Sequence, residues 1–390
     1  MAGNITSVRA ESSIPLLLTT ASVVSLVGVV FWHTLRLISP PIEPDAVLTV
    51  EKSNLRDYTA QGESPDSWKV QSLWIFPIKS CHGIELKESQ VVSTGLEHDR
   101  QYTFAEKKLD PKTGKEGWVF ITQRQYPALA RVTTQFRSQK DAAGGKILEV
   151  GYPVKTWLNR WIAMTGEIMK TFELPLEASE EELAQYPPES VRIWKDVVMA
   201  CNMTPLVPSG FAESFGAKHP IALFRLRPPH FREVFRCAPR KAEIGYQPVT
   251  AFADAYPIHL VNLASVRDLN SRLEDSLPKL DAIRFRPNVI LSGPPAFEED
   301  AWKRISLGDK EYYTSCRTVR CKMPNVDQDT GIRHFAEPDR TMRKYRCIDE
   351  GNKLNACFGM QVVPAAEKGF IRVGDSITVL ETGEHYYIDQ

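Results

Sequence analysis

The sequence predicts an α+β protein made of two β-rich units behind one N-terminal transmembrane helix. Three observations carry this. The run Ile14–Trp32 holds 19 residues without Asp, Glu, Lys or Arg, long and apolar enough to cross a bilayer. From Trp68 onward, short apolar or alternating runs are separated by turn residues. From Ala251 the pattern becomes mixed, with helical spacing between strand-like runs.

Taken in order, residues 1–13 are a tail and residues 14–38 the anchor. A cleaved secretory signal is the alternative, but the apolar stretch exceeds a usual signal core. It is followed by Trp32, His33 and Arg36, not by a small-residue cleavage site. Arg9 and Glu11 on one side against His33 and Arg36 on the other leave the orientation open. Pro40, Pro41 and Pro44 end the helix, and residues 39–67 read as a linker.

The first unit spans 68–200. Its strands are expected at Val70–Phe76, Val91–Thr94, Gln101–Ala105, Trp118–Thr122 and Ile147–Val150, with a turn at Asp110-Pro111-Lys112-Thr113-Gly114, so a small barrel or sandwich is implied. Ser179 and Glu182 form a capping box for a short helix that stops at Pro187-Pro188. The stretch 151–250 is the least patterned. Arg225, Arg227, His230, Arg232, Arg236, Arg240 and Lys241 make a basic cluster there, read as a solvated face, with an acidic partner or phosphate as the alternative.

The second unit spans 215–385. Ser265 is expected to cap a helix with Val266, Leu269 and Leu273 on one face. A strand follows at Val289–Leu291, a turn at Asp329-Thr330-Gly331 and a helix over Asp339–Tyr345. Strands at Phe358–Val363, Phe370–Val373 and Ile377–Leu380 close the unit around a Gly374-Asp375 turn.

Composition narrows the function. Lys plus Arg and Asp plus Glu are 48 each, so no global charge argues for nucleic acid, and any anion site must be local. The seven cysteines are scattered without a CxxC pair, as in a chain of reduced thiols facing the cytosol.

The chemistry concentrates between Phe285 and Gly331. Phe285-Arg286-Pro287-Asn288, Arg320-Cys321 and Val326-Asp327-Gln328-Asp329-Thr330-Gly331 offer a thiolate, guanidinium groups and an amide in one segment. Thiolate suits a soft or high-valent metal, and Arg forks onto phosphate. A lone cysteine is more often a small core residue, and Cys316, Cys321, Cys347 and Cys357 allow a zinc site, although their spacing matches no tight knuckle. Upstream, Pro77-Ile78-Lys79-Ser80-Cys81-His82-Gly83 is either a loop that holds a phosphate or oxo group or a solvated hairpin turn. Asp99-Arg100 and Thr122-Gln123-Arg124 each place an Arg at a strand end, for an anion or for a surface carboxylate.

These residues resemble a known family. The 77–83 loop followed by Asp99-Arg100 is similar to the signature of the MOSC N-terminal β-barrel domain. The motifs at 285–288, 320–321 and 326–331, with Phe370-Ile371-Arg372-Val373-Gly374-Asp375, resemble the MOSC domain itself. With the anchor, the pattern resembles the mitochondrial amidoxime-reducing branch of that family over about residues 68–385. The resemblance implies a second β-barrel with helices, a molybdenum–molybdopterin cofactor and Cys321 as the protein ligand to the metal. It implies cofactor contacts from Lys79, Ser80, Arg100, Arg286, Asn288 and Arg320, and a catalytic loop carrying Asp254. It further implies reduction of N-hydroxylated compounds by two electrons and two protons, fed from NADH through cytochrome b5 and NADH-cytochrome b5 reductase. The expected location is the outer mitochondrial membrane, with the C-terminal part in the cytosol. Ala255-Tyr256 departs from the hydroxyl pair of animal relatives and removes up to two hydrogen bonds to the cofactor.

Two other classes stand beside the reductase. One is a molybdenum cofactor carrier or sulfuration accessory, since MOSC domains also end the cofactor sulfurase; residues 1–67 are too few for a pyridoxal-dependent desulfurase domain. The other is a membrane-anchored binding module without metal.

Overall fold

The computed structural model describes Leu55 and residues 64–109, 114–138, 146–154 and 168–388. The expected tail, the membrane helix at 14–38, most of the linker and most of the turn at 110–114 lie outside these residues. Among the described residues no helix is long and apolar enough to cross a membrane.

Strands dominate, as expected. The largest sheet has the spatial order Ile84–Leu86, Lys69–Ile75, Val289–Ser292, Ile258–Asn262, Cys357–Pro364, Lys310–Val319, Trp302–Leu307, Ile377–Thr382. The Ile258–Asn262 and Val289–Ser292 strands are parallel, with Leu260 opposite Val289. A parallel pair needs a crossover, and the helix Leu263–Ser271 with the 3-10 turn Ala282–Phe285 supplies it. A second sheet closes as a five-stranded barrel of Pro188–Ile193, Asp196–Asn202, Ile221–Arg225, Tyr102–Leu109 and Glu116–Phe120, sealed where Val191 meets Trp118. Phe120, Val191, Phe224 and Phe252 fill it.

Strands from the expected units 68–200 and 215–385 share sheets. Lys69–Ile75 is an interior strand of a sheet built mainly from the C-terminal half, because Leu73, Trp74 and Ile75 are all buried and need cover on both faces. In return, Ile221–Arg225 completes the barrel.

Two expectations are corrected. Ser265 does not cap its helix. Asn262 ends the preceding strand in an extended conformation, and its Oδ1 accepts from the Ala264 N–H at 3.0 Å, so the helix starts earlier. Ser265 is buried and donates to Glu299 at 2.7 Å. The basic cluster at 225–241 is not one solvated face either. Arg225 and Arg232 are buried, the first donating to the Pro175 and Leu176 carbonyls at 2.9 and 3.0 Å, the second paired with Asp196 at 2.7 Å. By contrast, the Ser179–Glu182 capping box forms as the sequence indicates, at 3.2 and 2.7 Å.

Candidate functional site

The loop 77–83 leaves the strand Lys69–Ile75 and is stitched to the neighbouring chain: Lys79 N–H donates to the Tyr102 carbonyl at 2.8 Å and Tyr102 N–H to Pro77 at 3.0 Å. Gly83 is required where the loop returns, since a Cβ there would meet the Phe76 ring at 2.6 Å and the Ile75 carbonyl at 3.0 Å. This turns Lys79 and Ser80 inward, 5% and 2% exposed. The Lys79 ammonium donates to Asp254 at 2.5 Å and to the Phe252 carbonyl at 2.7 Å. Burial brings Lys79 down to about 8 in spite of that carboxylate. Burial works against the Asp254 charge too, but the ammonium, helped by Arg100 and Arg124, holds Asp254 well below the usual carboxylate range.

Arg286 caps the 3-10 turn Ala282–Phe285 in a left-handed conformation, φ 54°. From there its Nη1 reaches the Cys81 carbonyl at 2.7 Å and Gln328 at 3.2 Å, and its plane covers the Phe76 ring at 4.1 Å. Burial, with Arg100 close by, lowers Arg286 to about 9. Arg100 donates to Asp99 at 2.5 Å, to Asn288 at 3.0 Å and to the Arg286 carbonyl at 3.0 Å. Asn288 completes the frame by donating to the Trp74 carbonyl at 3.1 Å and accepting from the His259 N–H at 3.1 Å. Its amide thus orients Arg100 and joins two strands, a framework part more than a ligand contact.

Arg320 and Cys321 follow directly on the strand Lys310–Val319. Arg320 N–H donates to the Ala356 carbonyl at 2.8 Å, and its guanidinium donates to the Phe285 carbonyl at 3.1 Å and reaches His259 Nε2 at 3.5 Å. Burial, then Arg320 and Arg100, keep His259 a neutral imidazole, well below its ordinary value. Cys321 is partly exposed.

These positions converge. Lys79, Ser80, Arg100, Asp254, Arg286, Asn288, Arg320 and Cys321 all line one cleft of about 1180 Å³. Four atoms on its wall are buried without a protein partner: Ser80 Oγ, Arg286 Nη2, Arg320 Nε and Thr318 Oγ1. Buried N–H and O–H groups are costly when unmatched, so this set fits an acceptor-rich anion. Backbone strain is gathered at the same place. Of the seven described non-glycine residues at positive φ, five line the cleft: Ser80, Arg100, Trp194, Arg236 and Arg286. A soft-metal cofactor with a phosphate group matches both the donor set and the thiol of Cys321.

Several residues here carried no role in the sequence reading. Trp194, in the hairpin turn between two barrel strands, donates to Asp254 at 3.3 Å and lies under the Arg124 guanidinium at 4.2 Å. Gln123 and Gln328 bond each other at 2.9 and 2.8 Å, and Gln123 also donates to the Ser80 carbonyl at 2.9 Å. A polar His inside the apolar run Ile258-His259-Leu260-Val261 was the one local signal for His259. Nothing near Trp194 in sequence marked it. The motif at 326–331 acts through its turn: Asp327 Oδ1 accepts from Asp329 and Thr330 N–H at 3.1 and 2.8 Å, which presents Gln328 to Arg286.

Two segments match known domains, residues 67–183 the MOSC N-terminal beta barrel domain and residues 247–378 the MOSC domain. The chain belongs to the MOSC-domain proteins. It is similar to mitochondrial amidoxime-reducing component 1 of Homo sapiens, 29% identical over 321 residues that cover 80% of this chain and 82% of the relative. The same-named protein of Mus musculus is 27% identical over 320 residues, again 80% and 82%. The molybdenum cofactor sulfurase of Oryza sativa subsp. japonica is 27% identical over 308 residues, 77% of this chain but 33% of that longer protein.

Proposed function

We propose that this chain is a molybdenum cofactor-dependent reductase of N-hydroxylated compounds such as amidoximes and hydroxylamines. The observation that carries the reading is the set of unmatched buried donors, Ser80, Arg286, Arg320 and Thr318, that share one cleft with the partly exposed Cys321. Relatives named amidoxime-reducing components, matched along most of their length, support it.

In this reading Cys321 is the metal ligand, and Arg286, Arg320 and Ser80 hold the anionic part of the cofactor with Arg100 behind them. When bound, the molybdenum cofactor supplies two-electron redox chemistry at a thiolate-ligated metal. The chain's own residues handle protons and orientation. Asp254, held as an anion and half exposed, accepts N–H or O–H from a substrate in the cleft. Lys79, near 8, is the group beside it able to release and regain a proton close to neutral pH. Electrons come from NADH through cytochrome b5 and NADH-cytochrome b5 reductase, and residues 14–38 hold the chain on the outer mitochondrial membrane with its C-terminal part in the cytosol.

The second reading is a cofactor carrier or sulfuration accessory without turnover, favoured by the sulfurase relatives. One experiment separates them. The full chain and Cys321→Ala are produced in a host that makes the cofactor, then assayed for molybdenum and pterin per chain and for hydroxylamine reduction with a dye donor. Stoichiometric metal with turnover that Cys321→Ala abolishes is the expected result. Bound pterin with no turnover by the wild type gives the carrier. A wild type with neither metal nor pterin ends both readings.

A further inference from the structure

We propose that Cys237 and Cys316 form a separate oxidisable thiol site beside the cleft, which reacts with peroxide-class oxidants to give an internal disulfide. Cys237 lies in the turn after Phe235 and Arg236, two residues of the cleft wall, and Cys316 is fully buried in the strand Lys310–Val319. Cys237 packs against the small buried cluster that contains Cys316. The Cys237 sulfur accepts from the Ile388 N–H at 3.3 Å, and its thiol donates to the Tyr386 carbonyl at 3.5 Å. Val234, Tyr256 and Val363 pack around the pair. A partly exposed sulfur that accepts a backbone N–H and packs on the cluster holding a buried thiol is the arrangement of an attacking and a resolving cysteine.

The electrostatics agree with that division of labour. The Cys316 thiol, ahead of the other donors, helps bring Cys237 down to about 6, whereas the same interaction and burial keep Cys316 protonated, well above its ordinary value. In the first step the Cys237 thiolate attacks one peroxide oxygen, the O–O bond breaks, and hydroxide leaves to become water. Cys237 is then a sulfenic acid. In the second, Cys316 sulfur attacks it, the S–O bond breaks, and the hydroxyl takes the Cys316 proton and leaves as water. Overall two thiols lose two electrons to one peroxide, which is reduced to two waters.

The consequence reaches the cleft through the chain terminus. The segment Tyr386–Ile388 is fastened at the Ile388 N–H to the Cys237 sulfur and at the Tyr387 N–H to Asp349 at 2.8 Å, and Tyr387 lines the cleft. A disulfide makes the sulfur a poorer acceptor and pulls the Cys237 turn toward the strand, so the terminus loosens beside the cleft.

The test is run on the full chain with hydrogen peroxide at one equivalent, followed by thiol titration and peptide mass mapping. Readout by thiols, not turnover, keeps it independent of the reductase reading. The expected result is a fall from seven free thiols to five, with a Cys237–Cys316 linked peptide that dithiothreitol cleaves. Cys237→Ser, at a partly exposed position, should lose the linked peptide and keep its remaining six thiols at that dose. Folded Cys316→Ala should stop at a Cys237 sulfenic acid that dimedone traps. Cys237 and Cys316 recovered unlinked while another cysteine is oxidised, or a Cys237→Ser chain losing thiols at the wild-type rate, overturns the proposal.

Discussion

Lys79 shows how one residue's setting fixes a measurable behaviour. It is charged at neutral pH and titrates near 8 because burial removes water from the ammonium, while Asp254 opposes the shift. As pH rises past that value, the ammonium loses its proton and the contact with Asp254 at 2.5 Å ceases to be an ion pair. The kcat/KM for an N-hydroxylated substrate should therefore fall on an alkaline limb centred near 8. Asp254→Asn removes the charge that raises Lys79, so the limb should move to lower pH; a limb that stays put would detach it from Lys79. Arg286 gives a second prediction at this scale. Arg286→Ala deletes the unmatched Nη2, and losing one charge-assisted hydrogen bond costs about 1.5 to 3 kcal/mol, or roughly 10- to 100-fold in cofactor affinity. Arg286→Lys should not restore it, because an ammonium cannot fork between the Cys81 carbonyl and Gln328 and still face the cleft. Molybdenum content after dialysis measures both. Lys79, Arg286 and Cys321 could be picked out of the sequence because each sits in a compact motif. Trp194 had no local mark and His259 only its place in an apolar run, since what makes them part of the site is contact with Asp254 and Arg320, 60 and 61 positions away.

At the scale of elements, the loop that carries Asp254 is held by a residue first read as surface charge. Arg232 donates to Asp196 at 2.7 Å, to the Ala253 carbonyl at 2.7 Å and to the Asp254 carbonyl at 3.2 Å, tying the loop to the barrel hairpin. A guanidinium in that role is invisible to a count of basic residues, because the carbonyls that accept from it lie some 20 residues ahead. Strand and helix positions, by contrast, were readable from periodicity and caps: Asp339–Tyr345 is helical as expected, and the run at Phe358–Val363 lies within Cys357–Pro364. Removing the Arg232 side chain takes the donor from the buried Ala253 carbonyl and the part-buried Asp254 carbonyl, and the loop loses its fixed position. Arg232→Ala should lower turnover with a dye donor and with a cytochrome donor by the same factor. A loss confined to the cytochrome-driven rate would instead make Arg232 part of a docking face, against its burial at 9% exposed.

For the whole molecule, the instructive feature is that the sheets exchange strands between the two halves of the chain. Sequence order suggested two bodies joined near residue 200, because runs of strands and turns say nothing about which strand pairs with which. Pairing is a long-range choice, and here burial decides it: Lys69–Ile75 needs neighbours on both sides and finds Ile84–Leu86 and Val289–Ser292. The cleft is framed by both sheets as a result, with Lys79 and Arg100 from the N-terminal half and Arg286, Arg320 and Cys321 from the C-terminal half. Two consequences follow for folding. Hydrogen exchange during urea unfolding should report the same midpoint for peptides covering Val289–Ser292 and Ile221–Arg225, because neither sheet is complete without chain from the other half. A chain ending at residue 203 should be insoluble, since it lacks the barrel strand Ile221–Arg225 and leaves the apolar strand Lys69–Ile75 with an open edge. Two well-separated midpoints, or a soluble and folded short chain, would show that the N-terminal half closes its own core, and the strand exchange would then be a late docking step instead of the basis of the fold.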